Sequence, residues 1–169
     1  MLMRVFLFLG LVAILAAPAN SLCIYNGVDN AKTTIQQEFK DSRWVVRARV
    51  ISAEDGVVAH GKPDAGMYWT TYQLAVVRAY KGHPGHRIKF FTERDSGGFY
   101  MDRRWEPLPK AHDTGGEYLL FLIRYPHYRG SPKMATRATF VNYSCGQSKP
   151  WSEVNMRSRR LLEALVRRR

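Results

Sequence analysis

Cysteine is scarce in this chain of 169 residues: there are two, Cys23 and Cys145. No C-x-x-C pair exists, which excludes the usual thiol redox motif and the cysteine-rich zinc modules. The chain also lacks H-E-x-x-H, G-x-S-x-G and the phosphate-cradling G-x-x-x-x-G-K-S/T, so the common zinc protease, serine hydrolase and nucleotide-binding signatures are missing. Of the five histidines, only His83 and His86 lie close together, and Pro84-Gly85 between them makes that stretch a turn. No catalytic residue, metal site or cofactor is therefore expected, and the chain reads as a binding protein, not an enzyme. Internal repeats and low-complexity linkers are absent too. After the first 20 residues no apolar run is long enough to cross a bilayer, which takes about 20 residues.

What is present begins with a targeting pattern. Arg4 follows Met1 to Met3, an apolar run covers 5–16, and Ala17-Pro18-Ala19 supplies small residues. This is the order of a secretory signal peptide, with the cut placed after Ala19 and the next choice after Ser21. An uncleaved anchor is the alternative. Residues 20–169 are then one mature domain, large enough to bury about two thirds of its unfolded surface. Secretion or a periplasmic location follows, and with it a disulfide between Cys23 and Cys145. A loop that long contributes about 4–5 kcal/mol in the chain-entropy model; two buried free thiols are the alternative.

Acidic residues are few: 14 Asp and Glu against 26 Lys and Arg, a net charge of +12 of which only Arg4 leaves with the signal. Such a surplus attracts polyanions, among them lipopolysaccharide and acidic glycans. The same surplus is equally the solvated surface of a basic secreted protein.

Period-two alternation predicts five strands, over 43–53, 67–80, 86–92, 117–125 and 134–143. A short helix is predicted over 31–39 with Asp29 or Asn30 as cap, placing Ile35 and Phe39 on one face. A second helix is predicted over 152–168 with Ser152 as cap and an apolar stripe of Val154, Leu161, Leu162, Leu165 and Val166. The stretch from Glu93 to Gly116 reads as a long irregular loop, the kind that often carries function. The expected fold class is mainly β with flanking helices: a five-stranded OB-fold barrel, which needs closure to hide its edges. Such a barrel also serves single-stranded nucleic acid, with Trp69, Tyr72, Phe91, Arg47 and Arg49 as the available stacking and phosphate groups. Export argues against that partner. Asn142-Tyr143-Ser144 matches a glycosylation sequon but falls in a predicted strand.

Four segments in order carry a resemblance. They are Gln36-Gln37-Glu38-Phe39 followed by Trp44 to Val50; Val77-Arg78-Ala79-Tyr80-Lys81-Gly82; Gly116-Glu117-Tyr118-Leu119-Leu120-Phe121; and Cys145 followed by Pro150-Trp151-Ser152. Together they resemble the netrin-like domain of the tissue inhibitors of metalloproteinases, over most of the mature chain. The resemblance implies an OB barrel with flanking helices and a Cys23–Cys145 bridge. It also implies protein binding, with metalloprotease inhibition through the N-terminal segment as the family activity. The family's first cysteine, whose free α-amine chelates the protease zinc, is Ser21 here. A cut after Ala19 leaves Asn20 in front of it and locks that amine into a peptide bond. A further family cysteine is Lys40.

The expected partner-binding residues are Ser21, Leu22, Cys23, Ile24 and Tyr25, with Ser96, Gly97, Gly98 and Phe99 from the neighbouring loop 94–100. The expected partner is a protein, with an extracellular metalloprotease as the family's example. The alternative is a basic cell-envelope module that binds anionic polymers, lipopolysaccharide or glycans, without catalysis.

Overall fold

The structure is a computed structural model and describes residues 23–58, 67–94, 97–103, 111–126 and 133–168. The predicted signal segment, Ser21, Leu22 and Ser96 lie outside the described residues. In chain order the elements are β1 (Ile24–Tyr25), β2 (Val28–Asp29), α1 (Ile35–Asp41), β3 (Trp44–Val58), β4 (Met67–Lys81), β5 (Arg87–Glu93), β6 (Glu117–Arg124), β7 (Thr139–Val141), β8 (Lys149–Pro150) and α2 (Met156–Arg167). Short 3₁₀ turns occupy Lys133–Ala135 and Trp151–Glu153.

The main sheet runs β3-β4-β5-β7-β6-β8, and β6 returns to pair with β3. That return closes five strands into an OB-like barrel flanked by two helices. All barrel pairings are antiparallel except β5 with β7, which meet at a single parallel pair, Phe90 with Thr139. The interior follows from the pleat: alternate residues Val46, Ala48 and Val50 of β3, Tyr72 and Leu74 of β4, and Ile88 and Phe90 of β5 all point inward. A second core lies outside the barrel. There Ile35 and Phe39 of α1, Leu162 of α2 and Val154 cover Val45, Tyr80, Leu119 and Phe121.

Two joints hold the helices on the barrel. Lys81 Nζ donates to the carbonyl oxygens of Phe39 and Lys40 at 2.7 Å each, meeting carbonyls that the end of α1 leaves without helical partners. Gly82 then turns the chain with φ +72°, and a Cβ there would sit 2.7 Å from the Trp44 ring and 2.8 Å from the Arg43 carbonyl oxygen. Trp151 lies between two guanidinium groups, with Arg47 and Arg159 each 4.6 Å from its ring centroid. It packs at the α2 joint against the second core, its ring stacked on Tyr80 with centroids 6.4 Å apart.

Several boundaries differ from the sequence reading. α1 starts later and is capped by Thr34, whose hydroxyl accepts from Gln37 N at 3.2 Å. Asn30 sits instead at φ +48°. α2 is capped by Asn155, not Ser152, because the 3₁₀ turn at Trp151–Glu153 comes first. β3 continues to Val58 as a ribbon paired with β4, past the predicted strand end at Ala53. The fifth strand shrinks to Thr139–Val141, preceded by a 3₁₀ turn and by Arg137 at φ +58°. Trp69, Tyr72 and Phe91 are buried, at 5%, 0% and 0% exposure, so none of them is a surface stacking platform for nucleic acid.

Candidate functional site

The N-terminal segment folds into a hairpin. Asn26 and Gly27 both take positive φ, +49° and +81°, the requirement of a type I′ turn between two short strands. The base of the hairpin is fixed three ways. Cys23 is bonded to Cys145, with Cα atoms 6.1 Å apart across 122 residues of sequence. Asn30 N donates to the Cys23 carbonyl at 2.6 Å, and Cys23 N donates to Asn30 Oδ1 at 3.2 Å. Tyr25 packs against Tyr143, ring centroids 5.1 Å apart, and its hydroxyl donates to Asp41 Oδ2 at 2.6 Å. Burial and the Asp41 carboxylate push that phenol up to about 12. Cys23 and Tyr25 thus serve as anchors beneath the hairpin, while Ile24 is 58% exposed. Val28, 57% exposed, joins it as an apolar residue that sequence reasoning did not select.

A cleft of about 310 Å³ opens at the barrel seam, where β5 and β7 diverge past their single pairing. Gly97, Gly98 and Phe99 line it, together with Glu93, Tyr125, Phe140 and Ser144. Ser144 directly precedes Cys145, so the chain passes from the cleft lining to the bridge in one residue, while neither cysteine lines the cleft itself. Three of the expected loop residues thus line the cleft, and the expected disulfide lies one residue along the chain from it.

The loop that supplies Gly97 to Phe99 is held from behind by a polar network at the barrel mouth. Arg94 Nη1 donates to Asp102 Oδ2 at 2.7 Å and Nη2 to Oδ1 at 3.1 Å. Arg94 Nε donates to Thr70 Oγ1 at 2.6 Å, and Thr70 in turn donates to Asp55 Oδ1 at 2.5 Å. The His112 ring fills the centre, with Nδ1 3.1 Å from Asp102 Oδ1 and Nε2 2.9 Å from Asp55 Oδ2. The Tyr72 hydroxyl accepts from Met101 N at 3.2 Å and donates to Asp102 at 3.2 Å.

Burial works against ionisation of Asp102, but the Arg94 hydrogen bonds and charge outweigh it, with help from His112 and Tyr72, and hold the carboxyl below its ordinary range. Asp55 is lowered similarly, its desolvation outweighed by Thr70, His112 and Arg94. Desolvation pushes the Tyr72 phenol up. Both imidazole nitrogens face carboxylates, and Nδ1 also lies 3.2 Å from Arg94 Nη2, so the ring ties Asp55, Arg94 and Asp102 into one network. Nothing in the sequence pointed to it, because its members come from positions 55, 70, 72, 94, 102 and 112. Among the described residues no group of histidine, cysteine and acidic side chains could hold a metal ion.

No family model matches the chain, and no curated protein matches it. The fold defines the class: a disulfide-closed OB-like barrel with flanking helices. No helix among the described residues is long and apolar enough to cross a membrane.

Proposed function

We propose that the mature chain is an extracytoplasmic netrin-like binding module that engages a protein partner along one edge. That edge comprises the hairpin 23–29 and the cleft bordered by Gly97 to Phe99. One observation carries this reading: the Cys23–Cys145 bridge fastens the hairpin next to Ser144, which lines the same cleft as the loop. The exposed Ile24 and Val28 give the edge apolar contact surface, and the resemblance makes a metalloprotease the partner class to test. With Ser21 behind Asn20 after a cut at Ala19, such a module would block its partner by occupying surface, without an α-amine on the zinc.

The test is inhibition of a metalloprotease panel by the exported, disulfide-intact chain and by the Cys23→Ser/Cys145→Ser variant. Inhibition insensitive to salt and lost in the variant supports the edge. An exported chain that inhibits no member and is retained on heparin or lipopolysaccharide, with retention falling steeply as salt rises, contradicts it.

That second outcome belongs to a second reading, an anionic-polymer binder, which also rests on a specific observation. Arg157, Arg160, Arg167 and Arg168 are all exposed on or just after α2, whose apolar stripe is turned to the barrel.

A further inference from the structure

Carboxylates are outnumbered almost two to one in this chain, and most described ones near a cation are paired. Glu117 is bonded by Arg47 and Arg49, Glu163 by Arg78, Asp102 by Arg94, and Asp55 by Arg94 and His112. Glu93 differs. Its neighbour Arg94 turns to the network at the barrel mouth, and the Glu93 carboxylate accepts only a neutral hydrogen bond, from the Tyr125 hydroxyl to Oε1 at 2.8 Å. No cation reaches it among the described residues.

The surroundings of Glu93 are aromatic. Tyr125 and Phe140 meet edge to face with ring centroids 5.6 Å apart, and Phe99 packs edge to face on Phe90 at 6.3 Å. All four line the cleft with Glu93, and Ser144 adds a hydroxyl. The loop crosses close above the end of β5 because Gly98 has no side chain: a Cβ there would overlap the Glu93 carbonyl oxygen and the Tyr100 hydroxyl. The volume, about 310 Å³, lies at the small end of ligand pockets and suits one long side chain better than a larger ligand.

Resting on the protein-binding reading above, we infer that this cleft takes an arginine side chain presented by the protein partner. A guanidinium stacks on aromatic faces and gives a carboxylate a planar fork of donors, while its apolar stem covers the remaining aromatic surface. An acidic side chain would meet the Glu93 charge. A neutral one would leave that charge desolvated without a counter-ion.

The probe is the peptide acetyl-Gly-Ala-Arg-Ala-Gly-amide, set against the same peptide with neutral, isosteric citrulline in place of arginine. Binding is read from amide shifts of the isotope-labelled, disulfide-intact chain. The arginine peptide is expected to move Gly97, Gly98 and Phe99, and to bind about tenfold more tightly than the citrulline peptide. Glu93→Gln keeps an acceptor for Tyr125 and is expected to remove that preference; Phe99→Leu, with the charge intact, is expected to weaken both peptides. Equal shifts from both peptides, shifts confined to other regions, or an undiminished preference in Glu93→Gln overturn the inference. Failure of the parent reading looks different: the arginine preference persists at the cleft while no protein partner is bound. Failure of the inference alone leaves partner inhibition intact in Glu93→Gln.

Discussion

Arg94 grips Asp102 with both terminal nitrogens, at 2.7 and 3.1 Å, and the two side chains are only 25% and 9% exposed. Such a forked, charge-assisted pair is strong in place and costly to halve, because the remaining charge is left without its counter-ion. The pair lies eight residues apart along the chain and brackets Gly97 to Phe99. It therefore fixes the ends of the segment that borders the cleft.

Replacing Arg94 by Gln is expected to destabilise the fold by about 2–3 kcal/mol. It should also raise hydrogen exchange at Gly97 to Met101 more than elsewhere, since this loop is fastened from that side. Urea unfolding with residue-resolved exchange checks both. A uniform rise across the barrel would argue against a local fastening.

The lowered carboxylates set the acid behaviour. Asp102 and Asp55 sit below their ordinary 3.8, and Glu117, bonded by Arg49 and Arg47, below its ordinary 4.5. A depressed folded pKa gives stability that is present above the unfolded value and lost as pH falls through the folded one. The urea midpoint is thus expected to drop as pH falls below about 4. Glu38 has the opposite sign. It is fully buried, and desolvation raises its pKa despite hydrogen bonds from Thr33 and the Gln147 amide. Its contribution is present below the ordinary 4.5 and lost as pH rises through the folded value. Glu38→Gln, which does not ionise, is expected to remove that alkaline-side loss. Midpoints of both chains from pH 3 to 8 test the sign.

Gly82→Ala is expected to cost at least about 1–2 kcal/mol, because a left-handed backbone and a blocked Cβ position combine. Gly115→Ala is the comparison. It shares positive φ, +91°, but nothing lies within 4 Å of its Cβ, so a smaller loss is expected in thermal melts.

Ile24→Asp separates binding from folding. Ile24 is more than half exposed on a two-residue strand, so the melting temperature should move little. Inhibition of the partner should fall by tenfold or more if the hairpin enters the interface. Unchanged inhibition would remove the hairpin from the edge.

The barrel was legible in the sequence wherever one strand face is buried and the other wet, as in Val46, Ala48 and Val50 against Arg47 and Arg49. It was less so where both faces are polar. Glu54, Asp55 and Gly56 extend β3 in a ribbon that pairs with Thr71, Thr70 and Trp69, and their composition reads as a loop. The N-terminal hairpin carries its signal in Asn26-Gly27, but two-residue strands show no periodicity. Ser152 and Asn155 are both competent caps, and only the 3₁₀ turn at Trp151 selects between them. At the candidate site, Gly97, Gly98 and Phe99 were accessible from loop length and the family resemblance. Glu93, Tyr125, Phe140 and Ser144 were not, because the barrel seam that gathers them exists only after the strands close.

The most direct measurement is hydrogen exchange of the exported, disulfide-intact chain alone and in complex with a metalloprotease it inhibits. Joint protection of residues 23–29 and 97–99 is expected, with both effects lost in the Cys23→Ser/Cys145→Ser variant. Protection confined to the arginine-bearing face of α2, or protection of the loop without the hairpin, would contradict a single disulfide-built binding edge.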